Sequence, residues 1–415
     1  MIAVGAMRRA LVTCIGLGVV ASLIVIAPNA QAANPPIVVW ADQIRADVLN
    51  AEFPQGFHGT RIKVVVKDSL AAIKDELKTV KPADAPDVIA AEHESTGELV
   101  DAKLVRSLVL GSDRIAVFSP NVLSGFRYNG KIFGVPVQFE NLAMVTNVNL
   151  VPKQPETFKK VVTISTRLMK NNKTSSGVAV GQGGNGNAYN MFPFFSGLGG
   201  YVFGKDDKGN ANTADVGIAN PAFLGNSTQI KDWNAAGVID SSLNTQEAKD
   251  AFAAGKAPFW ITGPWDLNAV IALPFGYRIT SVPGMVSGKS PAPLLGMKGF
   301  MVTIYAQAHQ MRKQASEFVV EGLSRAGIQA AFGNAARRMP ASSKAVSGIT
   351  DARLKAFGAA GAAGVAIPNV PAMSAVWAPL GKAWAVTTKG SGASGPVPAF
   401  TDAQNNVVQA ISALS

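Results

Sequence analysis

The sequence predicts an α/β protein built on a parallel sheet, and three observations carry that prediction. Short apolar runs alternate with stretches of helical spacing in the order β-α-β-α-β over residues 37–90. The chain has 415 residues, of which 48% are apolar and 16% charged. That is enough for a large core in two or three domains or one two-lobed unit, and it excludes wholesale disorder. A single Cys and three scattered His (His58, His93, His309) exclude a disulfide scaffold and a Cys-based zinc cluster. They leave little for metal or acid–base chemistry, so no metal or cofactor is expected.

The elements follow in order. Ile37-Val38-Val39-Trp40 reads as a buried strand, residues 44–53 as a helix and residues 61–66 as a second strand. Leu70, Ile73 and Leu77 set helical spacing over 70–80, and Asp87-Val88-Ile89-Ala90 is a third strand. Ligands of such sheets sit beyond the carboxyl ends of the strands. That places Trp40-Ala41-Asp42 and Glu92-His93-Glu94 on one mouth. Asn129-Gly130 marks a hairpin turn, with strands at 132–135 and 142–146. A second α/β set follows: helix 158–169, strand 177–180, a Gly-rich loop and helix 189–198. Helices at 221–235 and 245–254 precede a strand at 257–262, and Pro264 suits the first turn of a new helix. The remainder reads as strand 299–305, helices 312–323 and 325–332, a Gly/Ala loop at 358–364, and helices 373–386 and 401–414.

The N-terminus carries an export signal. Arg8 and Arg9 precede a nearly unbroken apolar stretch over 10–27, and Ala30-Gln31-Ala32 is an A-x-A cleavage site, so residues 1–32 form a signal peptide. Met7, just ahead of both arginines, is an alternative start. Leu11-Val12-Thr13-Cys14 is only loosely like a lipoprotein box, since Thr13 stands where Gly, Ala or Ser is usual. Cys14 therefore reads as part of a discarded signal rather than a lipid anchor. The formal charge of +11 does not indicate nucleic acid, because the lysines are dispersed and the chain is exported.

Two phosphate motifs are close but fail. Gly181-Gln182-Gly183-Gly184-Asn185-Gly186 fits G-x-G-x-x-G, with Asp206 at the expected distance, yet an exported protein meets little dinucleotide. Gly284–Ser290 falls one residue short of a P-loop, with Pro283 in place of the first glycine. No H-E-x-x-H or S-x-x-K occurs. Glu92, Glu94 and Glu140 are the residue types of a glycosidase pair, and equally of a site that accepts hydrogen bonds from sugar hydroxyls. The tryptophans separate those readings. Trp40, Trp265 after Gly263-Pro264, and Trp377 stand beside turns at expected strand ends. An aromatic face stacks on a pyranose while carboxylates take its hydroxyls.

These residues reach a family. Ile37-Val38-Val39-Trp40, Ala85-Pro86-Asp87-Val88-Ile89 with His93-Glu94, and Arg127-Tyr128-Asn129-Gly130-Lys131 follow its order. So do Pro136, Glu140, Asn147, Asp215-Val216-Gly217, Ala251-Phe252, Gly255-Lys256 and Gly263-Pro264-Trp265. Pro368-Asn369-Val370-Pro371 followed by Met373-Ser374-Ala375-Val376-Trp377 is the most specific. Along nearly the whole mature chain the sequence resembles the extracellular solute-binding proteins of ABC transporters, in the maltose/maltodextrin-binding branch. The resemblance implies a two-lobed periplasmic-binding-protein fold of type II. Residues 33–141 and 297–345 would form an N-terminal lobe, and 142–296 and 346–415 a C-terminal lobe, joined by crossing strands near 140–146, 296–298 and 345. It implies sugar binding between the lobes, closure about a hinge, delivery to a membrane permease, and a monomer outside the membrane that catalyses nothing. Trp40, Asp42, Glu94, Glu140, Tyr189, Trp265 and Trp377 match its ligand positions. Ala91, Ser95, Leu267, Ala378 and Gly381 depart from it, each replacing an aromatic or cationic residue of the maltose proteins. A different oligosaccharide, a non-sugar solute on the same fold, and a secreted glycoside hydrolase using Glu140 with Glu94 remain as alternatives.

Overall fold

The computed structural model describes residues 35–413. The export signal, its cleavage site and Cys14 lie outside the described residues. Among those described, no helix is long and apolar enough to cross a membrane.

Two sheets organise the chain. The larger has seven strands, running Met339–Pro340, Gly134–Glu140, Leu294–Val302, Val88–Glu92, Ile37–Asp42 and Ile62–Lys67, with Val365–Ala366 paired to Leu294–Val302 off that path. The three strands of the β-α-β-α-β opening are mutually parallel, as the alternation predicts. The sheet as a whole is mixed, because Leu294–Val302 returns antiparallel to both Val88–Glu92 and Gly134–Glu140. The smaller sheet has four strands in the order Tyr277–Thr280, Ala143–Asn147, Phe259–Thr262, Val178–Ala179.

Side-chain alternation explains how the smaller sheet buries both faces. Met144, Phe259 and Ile261 enter one cluster, while Ala143, Val145 and Trp260 enter another on the opposite face. The first of these clusters is dense in aromatics, with Phe158, Phe194 and Trp233 in edge-to-face contact. The larger sheet has its own core, which includes Ile37, Val39, Val88, Val135, Phe300 and Phe332. The chain passes from one core to the other between Val137 and Leu142, and again between Leu294 and Leu295. It passes a third time after Ala341, reaching Phe357 on the smaller sheet.

Local chemistry sets the helices around these sheets. Phe158–Lys170 starts at a Thr157 cap, buries Phe158, Val161, Ser165 and Leu168 at helical spacing, and ends with Arg167 and Lys170 in its last turn. Thr245–Ala253 begins with a capping box between Asn244 and Glu247. Several expected elements differ. The strand over 299–305 runs instead over Leu294–Val302, and the helix over 373–386 begins at Trp377, after a 3-10 turn at Pro371–Ala375. The helix over 221–235 is two, Pro221–Asn226 and Thr228–Ala235, with the Ser227 hydroxyl turned back on the Leu224 carbonyl between them. The helix over 312–323 finishes in a π turn at Phe318–Gly322. The Gly/Ala run at 358–364 is not a free loop, because helix Ala352–Ala360 extends into it. The last helix starts earlier than expected, at Pro396, whose fixed φ suits a first turn.

Candidate ligand-binding site

A cavity of about 400 Å³ lies where the two sheets' elements meet, lined by Glu94, Glu140, Tyr189, Trp265, Gly296, Lys298, Ile367 and Trp377. Five of the seven expected site residues are among them. Each is placed by a recognisable local device. Glu94 sits in the short 3-10 turn that follows strand Val88–Glu92. Glu140 ends strand Gly134–Glu140, at a passage between cores. Tyr189 is in the first turn of helix Ala188–Gly197, capped by Asn187, whose side chain accepts from the Asn190 N–H. Trp265 follows Pro264 at the start of a 3-10 turn, and its ring folds back over Gly263. A Cβ at 263 would strike that ring, so the glycine makes room for the tryptophan. Trp377 opens helix Trp377–Thr387.

Trp40 and Asp42 are not brought to this cavity. Trp40 is only 3% exposed within the core of the larger sheet, and Lys67 places its Nζ 3.9 Å from the ring centroid. Both Asp42 carboxylate oxygens accept from Arg45 Nη1 at 2.8 Å. One is occupied by packing and the other by an ion pair.

The charged residues form a braced network. Lys298 Nζ donates to Glu140 Oε1 at 2.8 Å, and Arg338 Nε donates to Oε2. Glu92 lies 3.5 Å from the same Lys298 ammonium. Burial opposes the charge of Glu140, but Lys298 and Arg338 outweigh it and hold its carboxyl below the ordinary range. Burial likewise opposes the charge of Lys298, and Glu140 and Glu92 more than compensate, so its pKa is raised. Glu94 has no ion-pair or hydrogen-bond partner among the described residues. Desolvation by the surrounding protein, then Glu92 and Glu140, push it up to about 6, against the pull of Lys298. Tyr189 is held as a neutral phenol, raised by burial and then by Glu140 and Glu94.

The aromatic side is built differently. Tyr189 and Trp265 stand 6.0 Å apart between centroids with their planes tilted at 51°. Asp266, beside Trp265, is neutralised by Lys249 at 2.8 Å and accepts from the Thr262 hydroxyl at 2.6 Å. Tyr189 and Trp377 also line an adjoining groove that runs past Asn185, Asn187 and Lys382. There the Gly-rich loop lies directly on helix Trp377–Thr387. Gly186, at φ +84°, touches the Gly381 backbone so closely that a side chain there would collide with it. The absence of a side chain at Gly186 is thus part of the loop's packing. The G-x-G-x-x-G match is a loop seated on a helix.

Sequence reasoning missed three lining residues: Lys298, Gly296 and Ile367. Lys298 had a readable signal, as a lone charge inside the otherwise apolar strand Leu294–Val302. Behind the site His93 is fully buried. Its Nδ1 accepts the Met297 N–H at 3.1 Å, so Nε2 carries the proton and donates to the Ile367 carbonyl at 3.1 Å. Desolvation, then Lys298, push its pKa down to about 4 despite the backbone bonds, which keeps it neutral.

Two packed α/β units with an aromatic and acidic cavity between their sheets define a two-lobed solute receptor. The signature of the bacterial extracellular solute-binding protein family matches residues 49–362, and the chain belongs to that family. It is 23% identical over 377 residues to a galactooligosaccharide-binding protein of Bacillus subtilis, covering 88% of this chain and 87% of that one. It is 24% identical over 398 residues to a maltooligosaccharide ABC transporter solute-binding lipoprotein of Streptococcus pneumoniae, covering 88% and 89%. Its fold matches an extracellular solute-binding protein from Staphylococcus aureus solved in complex with maltose, with a TM-score of 0.81 at 21% identity, covering 91% and 98% of the two chains.

Proposed function

We propose that this protein is the capture subunit of an ABC importer for an oligosaccharide, maltodextrin-like or related. The observation that carries the reading is the joint presence in one cavity of Tyr189, Trp265 and Trp377 with the carboxylates of Glu94 and Glu140. Rings of this kind stack on the apolar faces of pyranoses, and carboxylates and Lys298 satisfy the hydroxyls between them. The names of the relatives from Bacillus and Streptococcus support the same ligand class. Binding closes the lobes, because a ligand touching both sides favours the conformation in which both contacts exist. In this reading the lobes are 33–141 with 297–345 and 142–296 with 346–415. The protein is exported with its signal cleaved after Ala32, works as a monomer and presents the closed form to a membrane permease.

The site does not favour hydrolysis. A glycosidase needs two carboxyl groups free to act on the substrate, and both oxygens of Glu140 are held by Lys298 and Arg338. Titration calorimetry against neutral oligosaccharides of different linkage tests the reading, with small-angle scattering to follow compaction. The expected result is saturable binding with compaction and no cleavage of the sugar. Cleavage, or failure of every saccharide to bind, would overturn it.

A further inference from the structure

The charges at the cavity do not balance. Glu94, Glu140 and Lys298 line it, and Glu92 and Arg338 are ion-pair partners of that lining, which makes three carboxylates and two cations. Glu140 engages both cations and Glu92 shares Lys298, so every charge is matched except that of Glu94. The nearby acid Asp266 is already paired with Lys249, and His93 is neutral. Lys382 belongs to the adjoining groove, not to the cavity. Three aromatic rings, Tyr189, Trp265 and Trp377, line the same cavity as Glu94.

An unpaired carboxylate sharing one cavity with aromatic rings is a combination that recognises a cation. A neutral sugar would leave the excess negative charge uncompensated when it displaces water from the site. A protonated amine would offset that charge, donate to the Glu94 carboxylate and present its positive edge to the rings. Resting on the sugar reading above, we infer that the preferred ligand is a basic oligosaccharide, an amino sugar with at least one free ammonium group, and that Glu94 is the residue that selects it. The raised pKa of Glu94 agrees with this, since desolvation and then Glu92 and Glu140 disfavour its charge, and an incoming cation relieves that.

The test uses the exported protein and three trisaccharides at pH 7: the β-1,4 trimer of glucosamine with free amines, its fully N-acetylated counterpart, and maltotriose. Calorimetry is expected to show the amine trimer binding at least tenfold more tightly than the N-acetylated one. That preference should shrink as salt rises. In Glu94→Gln it should fall to within about twofold, and Glu94→Asp should restore part of it. Thermal melts confirm that both variants are folded. Equal affinity for the two trimers, or a preference that survives in folded Glu94→Gln, overturns the inference. Tight binding of maltotriose with no binding of the amine trimer overturns it while leaving the sugar reading intact. Failure of all three, and of the wider neutral panel, overturns both.

Discussion

The two sides of the cavity are made from opposite materials. The acidic side hangs from the larger sheet and is cross-braced. Glu140 joins three chain segments through Lys298 and Arg338, and each partner is distant in sequence. The aromatic side comes from helix starts and a Pro-led turn; Tyr189 and Trp265 touch, and no hydrogen bond links the three rings among the described residues. The difference separates two jobs. A braced charge fixes where a hydrogen bond must point, and removing one member strands the others. A ring offers area without direction, so its loss subtracts contact and little else.

The sharpest way to break this contrast is Glu140→Gln. It takes the carboxylate from Arg338 and leaves Lys298 only Glu92, each cation having a side chain 19% exposed, and should destabilise the fold by about 3 kcal/mol, the lower end for a buried pair. Urea unfolding would show the midpoint falling at an unchanged slope, and an unmoved midpoint would mean the bracing is decorative. The stability that Glu140 contributes is present above its unfolded pKa, near 4.5. It is lost as pH falls through the depressed folded value.

Acid tests the same side through His93. Its folded pKa is about 4 against 6.5 unfolded, so the unfolded chain takes up the proton first as pH drops. The contribution is full above pH 6.5, and about 2 kcal/mol of it should be lost between pH 7.5 and 5. Comparing urea midpoints of the parent and His93→Gln across that range isolates it. A parallel decline in the two proteins would count against a buried neutral imidazole.

On the aromatic side, Trp265→Ala should weaken ligand binding by about 1 kcal/mol, several-fold in affinity, with the melting temperature held. The ring is 39% exposed, so little core is lost. A large fall in melting temperature with affinity unchanged would assign Trp265 to packing instead.

The smallest effect belongs to a pair outside the cavity. His309 donates from Nδ1 to Asp87 at 2.9 Å, and its pKa is raised by Asp87 and the Pro82 carbonyl against the cost of burial. Its contribution is full below pH 6.5 and disappears as pH rises through the raised value. His309→Gln should cost about 0.5 kcal/mol at pH 6 and nearly nothing at pH 9, with affinity unaffected. Any change in affinity would mean that the two regions are coupled.

Much of this was legible from the residues because the devices are local. The alternation of strands and helices over 37–90 pointed to the parallel core. Gly263-Pro264-Trp265 marked a ring at a turn, and the approach to the Ala143–Asn147 strand marked Glu140. The parts that could not be read depend on partners far along the chain. Lys298 becomes a cavity residue only because its strand returns beside Glu140, 158 positions away. Trp40 and Asp42 have the right types at a strand end, but Lys67 and Arg45 already occupy them, and spacing does not report occupancy. The reversal of Leu294–Val302, which makes the sheet mixed, has no signature in its apolar run.

His93 has a consequence for which sequences this fold tolerates. One rigid ring accepts from Met297, in strand Leu294–Val302, and donates to Ile367, just past strand Val365–Ala366, so it joins two strands from separate parts of the chain. A replacement must supply an acceptor and a donor at opposite ends of a fixed span, inside a site too dry for charge. No aliphatic, hydroxyl or charged side chain meets those terms, and an amide meets them only with a flexible stem. Position 93 is therefore a narrow gate in sequence space, while the aromatic side a short distance away admits exchange of one ring for another. Drift in ligand preference can proceed along the rings for as long as the imidazole keeps the two strands in register.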